Sequence, residues 1–175
     1  MKISVAKTAG FCFGVDRAVN LIYELVGKGE KVCTLGPIIH NPQLVLDLIS
    51  KGVKIVDDIS EVPNDYTVVV RTHGVPKKYI DELEEKNINY CNATCPFVLK
   101  IHKIVKEQNE DCVVLIAGDE NHPEVKGIRS YCKGVSFVFK NEDELKNILK
   151  TNPIIDKNSS ICVSQTTFSK KEWKL

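Results

Sequence analysis

The sequence has no excess of charge of either sign. Its 175 residues carry 24 Lys and Arg against 23 Asp and Glu, a formal net charge of +1. That balance excludes the bulk basic field that draws a chain to nucleic acid or an anionic membrane, so neither is expected as a partner. No apolar run approaches the roughly 20 residues that a membrane-spanning helix needs. The opening stretch, Met1-Lys2-Ile3-Ser4-Val5, is too short and too polar for a secretory leader. There is no CxxC pair and no tight Cys/His spacing, which argues against a structural zinc site; Cys91 and Cys95 form only a CxxxC. No low-complexity linker breaks the chain. Hydrophobic content is 43% and charged content 27%, an ordinary globular balance able to bury a core in one large or two small domains.

What is there is a pattern that occurs twice. Cys12 sits in Gly-Phe-Cys-Phe-Gly ahead of a helical stretch, followed by a strand-like run over 31–35 and then His40-Asn41-Pro42. Cys95 sits in Ala-Thr-Cys-Pro-Phe ahead of another helical stretch, followed by a strand-like run over 112–116 and then His122-Pro123-Glu124. His40 lies 28 residues after Cys12, and His122 lies 27 after Cys95. Each half passes through Lys-Gly-Val (51–53 and 133–135) into a last strand that ends on a polar loop, Arg71-Thr72-His73-Gly74 or Ser164-Gln165-Thr166-Thr167. A repeat with cysteine and histidine at matching places points to two small modules serving one shared site.

Short runs rich in valine and isoleucine predict strands over 2–6, 31–35, 54–56, 66–71, 89–91, 112–117, 136–139 and 160–164. Between them, helical spacing predicts helices over 15–26, 42–50, 76–85, 96–108, 123–131 and 142–149, several opening on proline. Gly27, Gly29 and Gly52 are plausible helix stops. The alternation implies an α/β fold of repeated small modules, with mostly parallel sheets flanked by helices. The modules join near Ala93-Thr94-Cys95-Pro96.

Seven cysteines, an odd count without an export signal, suit a reducing cytoplasmic location, where thiols are buried, catalytic or metal-binding. Cys33, Cys112 and Cys162 fall in strand-like runs, Cys132 ends a helix-like one and Cys91 can end a strand; there a thiol acts as a small apolar group. Cys12 and Cys95 differ in lying at loop-to-helix junctions. With His40, His73, His122 and Thr166 they follow the carboxyl ends of the predicted strands, where α/β sheets bind ligands. Two widely separated loop thiols suit an iron–sulfur cluster. Histidines, threonine and helix-start N–H groups suit an anion such as phosphate, and Gly14, Gly74 and Gly127 let backbone approach it. Glu124 becomes a proton donor if burial raises its pKa. Plainer readings stand beside these. Either cysteine alone is more often an incidental thiol, His40 can cap the next helix, and His122-Pro123-Glu124 can be a cap with its carboxylate in the first turn. Thr166 at a strand end is unremarkable, His102 is a surface or packing histidine, and Arg17 pairs with Asp16 or Asp47 without an assigned role.

Together the motifs Gly10-Phe11-Cys12-Phe13-Gly14-Val15-Asp16-Arg17-Ala18, Ile39-His40-Asn41, Thr72-His73-Gly74-Val75, Ala93-Thr94-Cys95-Pro96, His122-Pro123-Glu124-Val125 and Gln165-Thr166-Thr167 resemble the 4-hydroxy-3-methylbut-2-enyl diphosphate reductase family. The resemblance runs from the start of the chain to about Ser169. It implies an oxidoreductase of the methylerythritol phosphate route to isoprenoids, acting at its last step. Two electrons and protons remove the substrate hydroxyl and give isopentenyl and dimethylallyl diphosphate. It also implies a 4Fe-4S cluster held by three cysteines, with Cys12 and Cys95 matching two of them. His40, His73, His122 and Thr166 match residues that bind the substrate, chiefly its diphosphate, and Glu124 matches the proton donor. An external electron donor such as ferredoxin or flavodoxin is implied too.

The family fold implied is a trefoil-like arrangement of three α/β modules, of which this chain holds two, over 1–93 and 94–175, the second truncated at its C-terminal end. The family's third cysteine and a later Ser/Asn-rich diphosphate loop lie beyond the Thr166 motif. None of Cys33, Cys91, Cys112, Cys132 or Cys162 takes the place of that third cysteine. The expectation is therefore a fragment, inactive alone and completed by the missing third module in cis or in trans, with the strand over 2–6 belonging to that module's sheet. The alternative is a diphosphate-binding module without redox activity, whose cysteines are merely buried. A thiol hydrolase using Cys12 or Cys95 with a histidine ranks last.

Overall fold

The structure is a computed structural model that describes residues 3, 4, 6 and 9–174. Its elements in chain order are α1 (Phe13–Gly27), β1 (Val32–Leu35), α2 (Pro42–Ser50), β2 (Lys54–Val56), β3 (Thr67–Val70), α3 (Lys77–Glu85), β4 (Tyr90–Asn92), α4 (Pro96–Lys106), β5 (Val113–Ala117), α5 (Pro123–Ser130), β6 (Ser136–Phe139), α6 (Glu142–Thr151), α7 (Ile154–Lys157) and β7 (Ser160–Ser164). Short 3₁₀ turns occupy Ile59–Glu61 and Glu172–Lys174.

Local sequence explains most of these elements. α1 buries Ala18, Val19, Ile22 and Leu25, one face at helical spacing. α2 opens on Pro42 behind Asn41, whose Oδ1 accepts from the N–H groups of Gln43 and Leu44, both at 3.1 Å. β1 and β5 are buried along their whole lengths. Each is a central strand, and that is why neither alternates apolar with polar: β5 is apolar throughout and β1 is broken only by the buried Thr34.

Contacts divide the chain into two compact units, Met1–Thr72 with Cys91–Cys95, and His73–Tyr90 with Pro96–Leu175. The dividing line is not a single cut at residue 93. α3 goes with the second unit because it packs on α5: the Lys77 N–H donates to Ser130 Oγ at 2.8 Å, and that hydroxyl donates to the Gly127 carbonyl at 2.6 Å.

In the first unit the sheet runs β2-β1-β3-β4. β1 lies parallel to β2 (Thr34 opposite Ile55) and to β3 (Cys33 opposite Val68). Its core joins Ala18, Ile22 and Leu25 of α1 to Val32, Ile38, Leu48 and Val69. In the second unit the sheet runs β6-β5-β7. β5 is parallel to both neighbours, with Leu115 opposite Phe137 on one side and Cys162 on the other. Successive residues of β5 feed opposite faces. Val114 and Ile116 pack with Val105, Val125 and Ile128, whereas Val113, Leu115 and Ala117 pack with Phe139 and Ile155.

The order β2-β1-β3 matches β6-β5-β7, so the repeat in the sequence is a repeat of sheet topology. Among the described residues the second sheet has no counterpart of β4. The predicted strand over 2–6 lies partly outside the described residues (Lys2 and Val5); Ile3, Ser4 and Ala6 are in no strand, and Ile3 is exposed. α7 and the turn at Ile59–Glu61 were not anticipated by periodicity, being too short to show one. Among the described residues no helix is long and apolar enough to cross a membrane.

Candidate functional site

In the first unit, α1 begins earlier than its periodicity predicts, at Phe13, so Cys12 is its N-cap residue. The Cys12 carbonyl accepts the first helical bond, from the Asp16 N–H at 2.9 Å, and its side chain is exposed and caps nothing. Two residues on, a Cβ added to Gly14 would lie 2.8 Å from Cys95 Sγ and 3.2 Å from Cys95 Cβ. The thiol of Cys95 therefore occupies the space that a side chain at Gly14 would fill, against the same helical turn that Cys12 opens.

Three loops at the carboxyl edge of this sheet are tied in series. Thr72, after β3, donates from its N–H (3.5 Å) and its Oγ1 (3.0 Å) to the carbonyl of Ile38, after β1. The Cys95 N–H, after β4, donates to the Thr72 carbonyl at 2.9 Å. The Thr94 N–H is held by Asn92 Oδ1 at 3.0 Å, and the Thr94 carbonyl accepts from Arg17 Nη2 at 2.6 Å. His40 follows Ile38 on the same edge and is exposed. Asn41, not His40, caps α2.

In the second unit, His122 is the N-cap of α5, and its Nδ1 accepts from the Glu124 N–H at 3.2 Å. The capping reading is thus right as far as it goes. It also leaves the ring proton of the neutral imidazole on Nε2, available as a donor. His73 meets His122 edge to face, with centroids 5.5 Å apart at 81°. Glu124 is 1% exposed. Its two carboxyl oxygens accept from Thr166, Oε1 from the N–H at 2.6 Å and Oε2 from the hydroxyl at 2.8 Å. Gln165 braces this arrangement, donating to Thr167 Oγ1 at 2.7 Å and accepting from the Asp119 N–H at 3.1 Å. Thr166, Glu124, His122 and His73 so form one continuous chain of contacts in the second unit.

A profile described as LytB protein matches residues 3–175. The chain belongs to the LytB protein family. It is 39% identical over 179 residues to 4-hydroxy-3-methylbut-2-enyl diphosphate reductase of Thermoanaerobacter sp. (strain X514), covering 99% of this chain and 60% of that protein. It is 43% identical over 173 residues to the protein of the same name from Alkaliphilus oremlandii, covering 97% of this chain and 59% of that one. A solved structure of (E)-4-hydroxy-3-methyl-but-2-enyl diphosphate reductase, the terminal enzyme of the non-mevalonate pathway, superposes with a TM-score of 0.79 at 38% identity, over 98% of this chain and 60% of that one. The Plasmodium falciparum reductase structure shares the fold at a TM-score of 0.82 and 24% identity. The chain thus spans about 60% of the length of the curated relatives it matches.

Within this LytB chain some side chains do what the sequence did not suggest. Arg17 does not pair with Asp47, which accepts from Tyr23 Oη at 2.7 Å and pairs with Lys51, and Asp16 accepts from Asn20 at 3.1 Å. Of its two readings, surface or packing, His102 takes the packing one, being buried. It stacks on Tyr131 with centroids 4.4 Å apart, and burial pushes its pKa down to about 4. Gly14 has no room for a side chain because of Cys95 Sγ, whereas a Cβ added at Gly127 would make only ordinary contact, 3.4 Å from His102 Nε2. Burial pushes the Cys33 and Cys132 thiols up to about 11, which suits inert packing groups. Among the described residues no three His, Cys, Asp or Glu side chains are grouped closely enough to hold a metal ion.

Proposed function

We propose that this chain is the cluster- and substrate-binding part of a 4-hydroxy-3-methylbut-2-enyl diphosphate reductase, the iron–sulfur oxidoreductase that ends the methylerythritol phosphate route. The observation that carries the proposal is the seating of Cys95 Sγ against Gly14, beside the helix start that presents Cys12. Thiolates are the ligands of iron–sulfur clusters, and the two loop thiols fit two of the positions of a 4Fe-4S cluster. Two are fewer than such a cluster needs, so the third comes from a further module, in cis or in trans, and the 175 residues alone are inactive. When bound, the cluster supplies electrons and a Lewis-acidic iron for the substrate hydroxyl.

The chain's own residues supply the rest. His122 presents Nε2–H, and His73, His40 and Thr166 add polar contacts suited to a diphosphate. Glu124 holds the proton that leaves with the hydroxyl as water; its two hydrogen bonds from Thr166 fix the carboxyl against rotation. The electrons come from an external carrier of the ferredoxin or flavodoxin class. The seven cysteines, all free of disulfides among the described residues, suit a cytoplasmic location.

Anaerobic reconstitution with iron, sulfide and excess dithiothreitol, which lends outer thiols, tests the proposal. A brown protein whose colour is lost in the Cys12→Ser/Cys95→Ser double variant supports it. A wild-type chain that stays colourless yet binds inorganic diphosphate is instead a diphosphate-binding module without redox work.

A further inference from the structure

We propose that Arg17 is a positioning residue that fixes the Cys95 thiol for metal ligation; this rests on the cluster reading above. Arg17 lies on α1, one turn past Gly14. Its Nη2 donates to the Thr94 carbonyl at 2.6 Å, across 77 residues of sequence. That carbonyl belongs to the peptide unit whose N–H is that of Cys95, so the bond acts on the backbone that carries the thiol. The same N–H donates to the Thr72 carbonyl at 2.9 Å. The peptide between Thr94 and Cys95 is thus held at both ends, by a cation on its oxygen and by a carbonyl on its nitrogen. With Gly14 against Sγ, the Cys95 loop is pinned to the helix that Cys12 opens.

The arginine sits there at a cost. Its Nε is buried and has no hydrogen-bond partner, and an unsatisfied buried donor is unfavourable. A cation held under that penalty, with a charge-assisted bond to one carbonyl as the contact that offsets it, is placed for the loop rather than for the stability of α1. α1 needs no such residue, since its buried face is complete in Ala18, Val19, Ile22 and Leu25.

The test compares the full 175-residue chain with Arg17→Ala and Arg17→Lys. Amide hydrogen exchange is read at Thr94 and Cys95, with Ile22 and Val69 as core references. Loss of the charge-assisted bond should speed exchange at Cys95 by about tenfold or more, leaving the references unchanged. Lysine keeps the charge and the aliphatic stem but ends one bond short of the Thr94 carbonyl. Arg17→Lys should therefore behave like Arg17→Ala, and it serves as the readout if the alanine variant does not fold.

On anaerobic reconstitution both variants should take up less iron than wild type, and the paramagnetic resonance spectrum of any reduced cluster should be altered, which a merely stabilising residue would leave alone. Wild-type exchange at Cys95 in both variants overturns the proposal. So does faster exchange with unchanged iron content and spectrum. If wild type itself takes up no iron, the cluster reading fails separately, and with it the ligation role of Arg17, while the exchange data still decide whether Arg17 holds the loop.

Discussion

Replacing Gly14 by alanine puts a methyl group 2.8 Å from Cys95 Sγ, where ordinary contact begins at 3.4 Å. The sulfur must retreat by about 0.6 Å, or α1 must shift by as much, to relieve the overlap. Overpacking of this kind costs about 1–3 kcal/mol, and alanine returns up to about 1 kcal/mol of helix propensity over glycine. The net loss of stability is therefore between about zero and 3 kcal/mol, less than the whole stability of a typical domain, and the variant should fold. Metal ligation is less forgiving, because ligand distances hold to about 0.2 Å. A thiol moved by three times that margin should not share a cluster in its original geometry. The expectation is a urea midpoint lowered by at most about 1.5 M, with the chain still folded in buffer, together with a loss of most of the iron bound after anaerobic reconstitution. Gly14→Ala chains that carry as much iron as wild type, with the same spectrum, would refute the reasoning that Gly14 exists to seat Cys95.

Other substitutions probe the second unit. In the complete enzyme, Glu124→Gln should spare substrate binding and abolish most turnover, since the Thr166 hydroxyl can reverse and accept from the new amide; unchanged kcat would remove Glu124 from its proton role. In the same enzyme, His122→Phe should weaken substrate binding by about tenfold or more through loss of an Nε2–H bond to a charged oxygen, and an unchanged KM would remove His122 from the binding set. His102 makes a pH-dependent contribution whose sign is fixed by its lowered pKa. The folded chain keeps it neutral down to about pH 4, whereas the unfolded chain takes up the proton near 6.5. Its contribution is thus full above 6.5 and falls by roughly 3 kcal/mol as pH drops to about 4. His102→Phe, which retains a ring to stack on Tyr131, should flatten that part of the urea midpoint against pH, and an identical profile in the two proteins would contradict the assignment.

Periodicity made most of the fold legible. β2, β6, β7 and α2 have the boundaries that alternation and the opening proline suggest, because each is bounded by a glycine, a proline or a polar pair. The unit boundary was not legible, because nothing in the sequence of residues 77–85 says that α3 will pack on α5 rather than on its own sheet. The start of α1 lies two residues ahead of the predicted one because Phe13, which is exposed, and Gly14, which has no side chain, add nothing to the apolar stripe.

Of the candidate site, the loop positions of Cys95, His122 and Thr166 could be read from where strands end, whereas the strand expected ahead of Cys12 is not found among the described residues. The pairing of Glu124 with Thr166 could not, since it links residues 42 apart. From sequence, Arg17 reads as a partner of Asp16 or Asp47, and Gly14 as room for backbone to approach an anion. Their work is done on Cys95, and no local pattern points from one end of that contact to the other. Gln165 was visible only as the neighbour of Thr166, although its side chain sets the loop geometry on both sides.

The central claim is that Cys12 and Cys95 ligate one metal centre. Mössbauer spectroscopy of the anaerobically reconstituted chain, compared with Cys12→Ser and Cys95→Ser taken singly, tests it most directly. The account predicts a single cluster signal in wild type that each substitution alters or abolishes. Iron that binds in wild type and gives the same spectrum in both variants would contradict it.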